Sequence, residues 1–387
     1  SLPVDPSSDV PPGYTADQRG VPGGFVGEVD IMDTWATSSL TPQIAGGWET
    51  DPDLFARVFP MDLRPQGQDI IRTWLFSTVV RSHLEHGSLP WAHAAISGWI
   101  LDPDRKKMSK SKGNVVTPMG LLEEHGSDAV RYWAASARLG TDAAFEVGQM
   151  KIGRRLAIKV LNASKFALGF GATDASASAA EHVTQTLDRA MLAGLADVVD
   201  KAGEALEAYD HTRALELTET FFWTFCDDYL ELVKDRAYGA GDEEPSEATL
   251  SARAALAIAL DTLLRLLAPV LPFATEEVWS WWREGSVHRA AWPTAEPLRK
   301  AGGDADPRAL AAAGGALAAL RKVKSEAKVS MRTVIVRAEL AVPAQQLALV
   351  EATVDDVRAA GRARDLALVS DDTVEAAVVR VSELETA

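Results

Sequence analysis

Hydrophobic residues recur every three to four positions through residues 149–285, a spacing that places them along one face of successive helices. Four such stripes are present, starting at Ile152, Leu187, Leu215 and Leu256. Short polar links separate the stripes. Long amphipathic stripes joined by short links predict a helix bundle.

The residues before the bundle follow a mixed pattern. The first thirty are rich in proline and polar turn formers, so residues 1–28 are predicted to be a connector with no core of its own. From 29 to 148, short apolar runs alternate with helical periods. This order is typical of an α/β sheet whose ligands bind at the carboxyl ends of the strands. The predicted elements are a strand at 31–35, a strand end and turn at 62–69, a helix at 70–83, a strand at 94–101 and a helix at 120–139.

A third pattern follows the bundle, beyond Pro293. A linker of Gly, Ala and Asp leads into a predicted helix at 309–323, a strand at 334–342 and a second helix at 344–360. We therefore predict a multidomain chain with α/β and all-α parts. Its predicted regions are a connector at 1–28, an α/β domain at 29–148, a helical bundle at 149–300 and a small α/β appendage at 301–387.

Charge and hydropathy narrow the class of protein. The net charge of −16 argues against non-specific nucleic-acid binding, although a local basic surface can still bind a structured RNA. The longest apolar stretch, residues 256–273, is interrupted by charged residues and prolines, so no membrane span is predicted. The N-terminus lacks the pattern of an export signal, and a cytoplasmic protein is expected.

The single cysteine, Cys226, excludes an intramolecular disulfide framework and any zinc site built from several cysteines. It lies in an aromatic run and is predicted to be an inert core residue. No metal site is predicted in this chain.

The most informative segment is a string of cations with no acid at residues 105–112. Turn formers flank it on both sides. Lysine ammonium groups suit a triphosphate whose charge shifts during a reaction. A loop that closes on an α-phosphate as it becomes pentacoordinate stabilises the transition state selectively. The segment therefore predicts a mobile phosphate-binding loop, whose cations are Arg105, Lys106, Lys107, Lys110 and Lys112.

Within this segment, residues 107–111 resemble the KMSKS signature of class I aminoacyl-tRNA synthetases. Three further segments resemble the valine, isoleucine and leucine subgroup of that family. They are the tryptophan-containing residues 33–39, the Gly-x-Asp region at 66–74 and the end of the anticodon-binding bundle at 267–279. Within the subgroup, the chain resembles the valine enzymes most closely. The resemblance implies the second half of a Rossmann-like nucleotide-binding fold, followed by an anticodon-binding bundle.

The resemblance also implies an ATP site in the signature itself. Lys110 is expected to contact the ATP phosphates with the assistance of Lys107, and these two lysines are the expected catalytic residues. Met108 is expected to anchor the loop. Ser109 and Ser111 complete the expected ATP-binding set of the signature.

A second set of residues is expected, from the same resemblance, to bind adenosine and the amino acid. Gly67 would let the backbone approach the adenosine, and Asp69 would accept hydrogen bonds from the ribose hydroxyls. Trp35 and Trp74 would form walls of the amino-acid pocket, where flat rings make a slot of fixed width. Ile70 stands where the isoleucine enzymes carry glutamine, which favours valine.

The expected substrates and partners follow from the resemblance as well. They are valine, ATP with Mg²⁺, and tRNA(Val), with no membrane partner and a monomeric state. The predicted tRNA-binding residues are three cations near the start of the bundle, Arg154, Arg155 and Lys159.

Two parts of the family's enzymes are not found in this sequence. The His-Ile-Gly-His element is not found. The candidate segment His83-Leu84-Glu85-His86-Gly87 does not match it, because its spacing is wrong. The inserted editing domain is missing too. The expectation is that the chain is the C-terminal portion of a longer ligase and is inactive alone. Two alternatives stay open: an isoleucine or leucine enzyme of the same architecture, and a non-catalytic tRNA-binding module.

Overall fold

The computed structural model of the protein describes residues 4–30, 34–108, 113–171, 175–176, 178–239 and 244–385. The chain divides into two compact units. Unit 1 comprises Ser1–Trp99 and Leu139–Asp142, and unit 2 comprises Ile100–Arg138 and Ala143–Ala387.

Unit 1 is built around one strand–helix–strand crossover. Its two strands pair in parallel, with Gly67 opposite Ser97 at their carboxyl ends. A five-residue π-helical turn, Ile71–Leu75, precedes the crossover helix. The elements are α1 Thr34–Ser38, α2 Thr41–Ala45, α3 Pro52–Val58, β1 Met61–Gly67, α4 Phe76–His86 and β2 Trp91–Ser97, with 3₁₀ turns at Ala16–Gln18 and Gln68–Ile70.

The strand predicted at 31–35 is wrong for Thr34 and Trp35, which begin the short helix α1. The first three residues of that prediction lie outside the described part of the chain. The helix is stabilised by tertiary contacts, because the carbonyl oxygens of Ala36 and Ser38 accept hydrogen bonds from side chains of unit 1 and not from the backbone of a neighbouring strand. The strand predicted at 94–101 is also interrupted, since β2 ends at Ser97 and pairing resumes at Ile100.

Unit 2 begins with the cation-rich segment and continues into the bundle predicted from periodicity. The strands β3 and β4 form a short parallel pair. The elements up to the bundle's end are β3 Ile100–Leu101, α5 Pro118–His125, α6 Ser127–Ala135, β4 Ala143–Ala144, α7 Val147–Leu168, α8 Thr186–Glu207, α9 His211–Thr224, α10 Leu230–Tyr238, α11 Glu247–Leu267, α12 Pro272–Ser280 and α13 Ala295–Gly302, with a π-helical turn at Phe225–Tyr229 and 3₁₀ turns at Ala179–His182 and Val287–Arg289.

The linker predicted after Pro293 is wrong where α13 forms. This helix packs on α8, with Leu298 and Ala301 buried. A Cβ on Gly302 would lie 3.1 Å from Ala193, so the two helices approach closely. Small residues that read as a linker therefore serve here as the contact face of a helix.

The C-terminal part of unit 2 is an α/β module with a three-stranded sheet in the order β6-β5-β7. Strands β5 and β6 are parallel, and β5 and β7 are antiparallel. The predicted helix and strand at the start of this module are present, while the last two strands were not predicted. The elements are α14 Arg308–Glu326, β5 Ile335–Val342, α15 Ala344–Glu351, α16 Val354–Gly361, β6 Ala363–Ser370 and β7 Val378–Leu384.

A buried ion network ties the bundle to this module. Arg236 of α10 donates to the carboxylates of Asp188 at 2.8 Å and Asp356 at 2.6 Å. Asp188, which is fully buried, also accepts from the hydroxyls of Tyr229 at 2.8 Å and Ser251 at 2.6 Å. Each buried charge is thus paired and hydrogen-bonded, as a low-dielectric interior requires.

Candidate functional site

The carboxyl edge of the β1–β2 pair carries the Gly-x-Asp residues. Gly67 ends β1, and the 3₁₀ turn that follows carries Asp69. A Cβ on Gly67 would lie 2.8 Å from Oδ1 of Asp69, so the carboxylate occupies the space that a side chain would need. Ser97, at the same edge, donates its hydroxyl hydrogen to the carbonyl oxygen of Gln66 at 3.2 Å. Polar groups of both strands therefore converge where ligands of such folds bind.

Trp74 is fixed from several directions within unit 1. Its ring is 5% exposed and stacks on Trp91, with centroids 5.6 Å apart and planes 6° from parallel. The Arg64 guanidinium carbon lies 4.1 Å from the Trp74 ring centroid, a cation–π contact. The indole N–H donates to the carbonyl oxygen of Ser38 at 2.8 Å. Trp74 is thus a rigid part of the interior.

Helix α1, which carries Trp35, is hydrogen-bonded to helix α4. Arg81 of α4 donates to the carbonyl oxygen of Ala36 and to the hydroxyl of Ser39. Trp35 and Ile70 are partly exposed. The structure therefore brings α1, the Ile70 turn and the Trp74 segment together in unit 1. Their role as an amino-acid pocket stays a prediction.

In unit 2, a hydrogen-bonded clamp closes the base of the cation-rich segment. Asp102 follows β3, and its carboxylate accepts from the backbone N–H of Lys106 at 2.7 Å and from the Asn114 amide at 2.8 Å. The Asn114 amide also donates to the carbonyl oxygen of Lys107 at 3.3 Å. The Lys106 N–H and the Asn114 amide hold the pKa of Asp102 below its ordinary value. Lys106 and Asn114, which flank the signature, are therefore tied to one carboxylate.

The signature itself is only partly described. Its first two residues, Lys107 and Met108, are described, and Lys107 forms an antiparallel β-bridge with Leu101. Ser109, Lys110 and Ser111 lie outside the described residues, as does Lys112. Gly67 and Asp69 belong to unit 1, and the signature belongs to unit 2.

The helices after the signature are joined firmly to the bundle. Asp128 of α6 accepts from the backbone N–H groups of Phe273 at 3.1 Å and Ala274 at 2.7 Å, which caps the N-terminus of α12. Tyr132 donates to Glu219 of α9 at 2.8 Å. Gly153 of α7 permits this packing, because a Cβ there would lie 2.6 Å from Tyr132. The arm formed by α5 and α6 is therefore continuous with the bundle.

The predicted tRNA-binding cations lie along α7 and differ in their surroundings. Arg154 is exposed and donates to the backbone carbonyl oxygen of Glu124 at 2.7 Å. Arg155 is exposed as well. Lys159 forms an ion pair with Asp227 at 2.9 Å and lies 5.6 Å from the Trp223 ring centroid. Two of the three thus offer their charge to solvent, and the third is partly neutralised.

Sequence reasoning missed several residues that organise these places. In the sequence, Asp102 and Asn114 are ordinary turn formers on either side of the signature, and nothing local shows that they pair. Arg64 and Trp91 gave no signal, because the stack on Trp74 is formed between distant segments. Asp128 was also missed, since the helix that it caps lies far along the chain.

Among the described residues, no group of three or more His, Cys, Asp or Glu side chains is placed to hold a metal ion. None of the helices in that part of the chain is long and apolar enough to cross a membrane.

Comparison with protein families agrees with this geometry. Residues 19–146 match the family described as tRNA synthetases class I (I, L, M and V). Residues 188–340 match the anticodon-binding domain of tRNA ligase. A solved structure, the Agrobacterium radiobacter K84 agnB2 LeuRS-tRNA-LeuAMS ternary complex, shares the fold at a TM-score of 0.59 and 21% identity, over 71% of this chain and 35% of that chain. The chain is therefore similar to class I tRNA synthetases over both of these regions.

The chain is also similar to curated valine--tRNA ligases. The chain is 66% identical to the valine--tRNA ligase of Thermobifida fusca (strain YX) over 97% of its own length and 42% of the relative's length. It is 60% identical to that of Salinispora tropica over 96% of its own length and 45% of the relative's. The chain is thus similar to valine--tRNA ligases along almost its whole length, and it spans less than half the length of these relatives.

Proposed function

We propose that this chain supplies the KMSKS half of a valine-activating site, in a ligase that joins valine to tRNA(Val) at the expense of ATP. The observation that carries the proposal is the Asp102–Asn114 clamp, which ties Lys106 near the start of the cation-rich segment and Asn114 just beyond it to the end of β3. The similarity to valine--tRNA ligases supports the choice of amino acid. We expect the ligase to act as a monomer in the cytoplasm.

The proposed reaction has two steps. A carboxylate oxygen of valine attacks the α-phosphorus of MgATP, the bond from that phosphorus to the bridging oxygen breaks, and pyrophosphate leaves with the electron pair. A ribose hydroxyl at the tRNA terminus then attacks the valyl carbonyl, and AMP leaves. Negative charge builds up on the phosphate oxygens in the first step, where preorganised cations are most effective.

In this proposal, the side chains of the signature act on the phosphates. Lys110 and Lys107 stabilise the charge that develops on the α-phosphate and on pyrophosphate, which lowers the activation barrier selectively. Met108 anchors the segment, and Ser109 and Ser111 donate hydrogen bonds. The clamp at the base fixes where the segment starts and ends, so that less conformational freedom is lost when it engages ATP.

The residues of unit 1 are proposed to hold the remaining parts of the substrates. Gly67 and Asp69 bind adenosine, with the Asp69 carboxylate accepting from the ribose hydroxyls. Trp35, Trp74 and Ile70 line the valine pocket, where the rigidity of Trp74 sets a fixed width. Such a pocket discriminates against one extra methylene by roughly 1–3 kcal/mol.

The bundle is proposed to dock tRNA(Val), with Arg154, Arg155 and Lys159 contacting phosphates. The match to an anticodon-binding domain supports this assignment. Because α5 and α6 are joined to the bundle through Asp128 and Tyr132, docking there would act on the arm that follows the signature.

The test is a segment exchange. The region of Thermobifida fusca valine--tRNA ligase that aligns with this chain is replaced by residues 1–387, and ATP–pyrophosphate exchange is measured with valine, isoleucine and leucine. We expect exchange that depends on valine, as in the parent ligase, which serves as the control. Exchange that prefers isoleucine or leucine would refute the amino-acid assignment. A folded chimera that binds tRNA(Val) but catalyses no exchange would indicate a binding module only.

A further inference from the structure

Four exposed cations lie together at one end of the C-terminal sheet. Lys328 and Arg332 belong to the connection before β5, and Arg362 and Arg364 flank the first residue of β6. We call these four residues the basic edge. Within the described residues, none of them forms an ion pair with a carboxylate. In a chain of net charge −16, four uncompensated cations at one place call for an explanation.

Other exposed arginines of the same module are paired. Arg337 lies 3.0 Å from Asp365, and Arg358 lies 2.9 Å from Asp355. Arg380 lies 2.6 Å from Glu339. These exposed arginines are therefore each paired with an acid, and the basic edge differs from them because none of its cations forms such a pair within the described residues.

A buried lysine holds the two halves of the basic edge together. Lys324 of α14 is 2% exposed, and its Nζ donates to the carbonyl oxygens of Gly361 at 2.7 Å and Met331 at 3.2 Å. These two residues immediately precede Arg362 and Arg332. Burial lowers the pKa of Lys324, and the nearby charges of Arg362 and Arg321 lower it further. Like charges are therefore held in proximity by the fold.

The backbone at the basic edge is also well defined. The N–H of Ile335 donates to the carbonyl oxygen of Arg362 at 2.9 Å, which joins the start of β5 to the start of β6. Lys328 and Arg362 adopt left-handed backbone conformations, with φ of 53° and 49°. Both positions favour glycine on steric grounds, yet both carry a long cationic side chain.

We infer that the basic edge docks the phosphate backbone of a structured RNA. Guanidinium and ammonium groups on a fixed backbone suit phosphate oxygens, which they contact without regard to base sequence. An acidic protein is less well matched, because no exposed aromatic ring lies among the described residues of the edge to anchor it. The choice of tRNA(Val) as the RNA rests on the proposed function.

One acid belongs to the surroundings of this surface. Glu385 follows β7, and its N–H donates to the carbonyl oxygen of Val334, next to the connection that carries Arg332. Its carboxylate forms no ion pair within the described residues. It should therefore weaken phosphate binding slightly, and Glu385→Gln should strengthen it.

The experiment compares two triple variants with the same change in net charge. In K328Q/R332Q/R362Q the basic edge is neutralised, and in R337Q/R358Q/R380Q three paired arginines are neutralised. Binding of fluorescent tRNA(Val) transcript to the full chain is measured by anisotropy over a range of salt concentrations. Circular dichroism and thermal unfolding confirm that both variants are folded.

We expect the edge variant to bind about 10- to 100-fold more weakly at low salt. Its salt slope should fall by roughly 0.7–0.9 for each phosphate that the variant no longer neutralises. The paired-arginine variant should stay within about threefold of the unchanged chain, since exposed paired charges contribute little. Equal affinity of the two variants, or no binding by the unchanged chain, would overturn the inference.

The failure of this inference is distinguishable from failure of the proposed function. Valine-dependent exchange by the chimera without any effect of the edge variant on tRNA binding refutes only the basic edge. Edge-dependent tRNA binding without exchange by the chimera refutes only the proposed activity.

Discussion

The two units of this chain have interiors of different kinds. In the described part of unit 1, the buried hydrophobic side chains other than proline are Trp74 and Trp91, and the other buried side chains there include the polar Gln43, Gln66 and Thr78. In unit 2 the interior is a continuous apolar core of leucine, alanine and valine from the bundle helices, which extends into the C-terminal module. Unit 2 is therefore stabilised by a large buried apolar core, whereas the described part of unit 1 is organised by a few specific contacts.

The surface of unit 1 shows the same difference. Phe76, Val80 and Leu84 follow one another along α4 at intervals of four and are 62%, 36% and 79% exposed. A helix that exposes its apolar stripe contributes little to a core of its own unit. Unit 1 contains a rigid aromatic stack and, at the carboxyl end of β1 and in the turn that follows, the residues Gln66, Gly67 and Asp69. Its residues suit the holding of a ligand more than the filling of a core.

The largest expected effect comes from breaking the ion network inside unit 2. In Asp188→Ala, Arg236 keeps one carboxylate partner while Tyr229 and Ser251 lose their acceptor. Removing one partner of a buried ion pair should lower the free energy of unfolding by about 3–5 kcal/mol. Urea denaturation followed by circular dichroism measures this.

Asp200→Ala is the matched control for that variant, because Asp200 pairs with Arg299 on the surface. It should leave the unfolding midpoint nearly unchanged, since exposed ion pairs contribute little. Equal midpoints for the two variants would contradict the view that the buried network stabilises unit 2.

A smaller effect is expected from the aromatic stack of unit 1. Arg64→Met keeps the length of the side chain and removes the charge that lies over the Trp74 ring. Removal of this cation–π interaction should destabilise unit 1 by about 1 kcal/mol. Hydrogen exchange of the amides of β1 and β2 measures the effect locally, so that the stable core of unit 2 does not mask it.

The control for that variant is Arg57→Met, since Arg57 is exposed and pairs with Asp53 within one helix. Its β1 and β2 amides should exchange at the unchanged rate. If exchange in unit 1 were unaffected by Arg64→Met, the stack would be incidental to the order of this unit.

The bundle could be predicted from the sequence, because a period of three to four residues directly encodes a buried helix face. The crossover of unit 1 was predicted for the same reason. Helix α1 was missed, since its stability depends on donors from Trp74 and Arg81 that no local pattern reveals. Helix α13 was missed because Gly302 and its neighbouring alanines look like a linker until α8 is packed against them.

The candidate site was predicted unevenly for a related reason. The signature and the Gly-x-Asp residues are contiguous in sequence and were recognised by resemblance. Asp102 and Asn114 are separated by the signature in the sequence. The hydrogen bond between them depends on the tertiary structure and cannot be read from either residue alone. Side chains that support a site from distant positions are determined by tertiary packing and leave no periodic pattern.

The smallest effect is expected at Cys226, where the core of unit 2 should resist change. Burial raises the pKa of this thiol to about 12, so it stays protonated at neutral pH. Its reaction with iodoacetamide should therefore be negligible between pH 7 and pH 9 in the folded chain and fast in urea. A native-state rate close to the rate in urea over this pH range would show that this core opens readily.

Lys110→Ala in the chimeric ligase tests most directly whether the signature stabilises the transition state of valine activation. Single-turnover formation of valyl-adenylate gives the rate of the chemical step and the affinity for valine separately. We predict a rate about 100-fold lower with valine affinity within about threefold, because the loss of one preorganised donor costs roughly 3 kcal/mol. Lys322→Ala, whose side chain is exposed and pairs with Glu326, is the control and should keep both values. If Lys110→Ala lowered the affinity for valine and left the rate of valyl-adenylate formation unchanged, Lys110 would bind the ground state and would not stabilise the transition state.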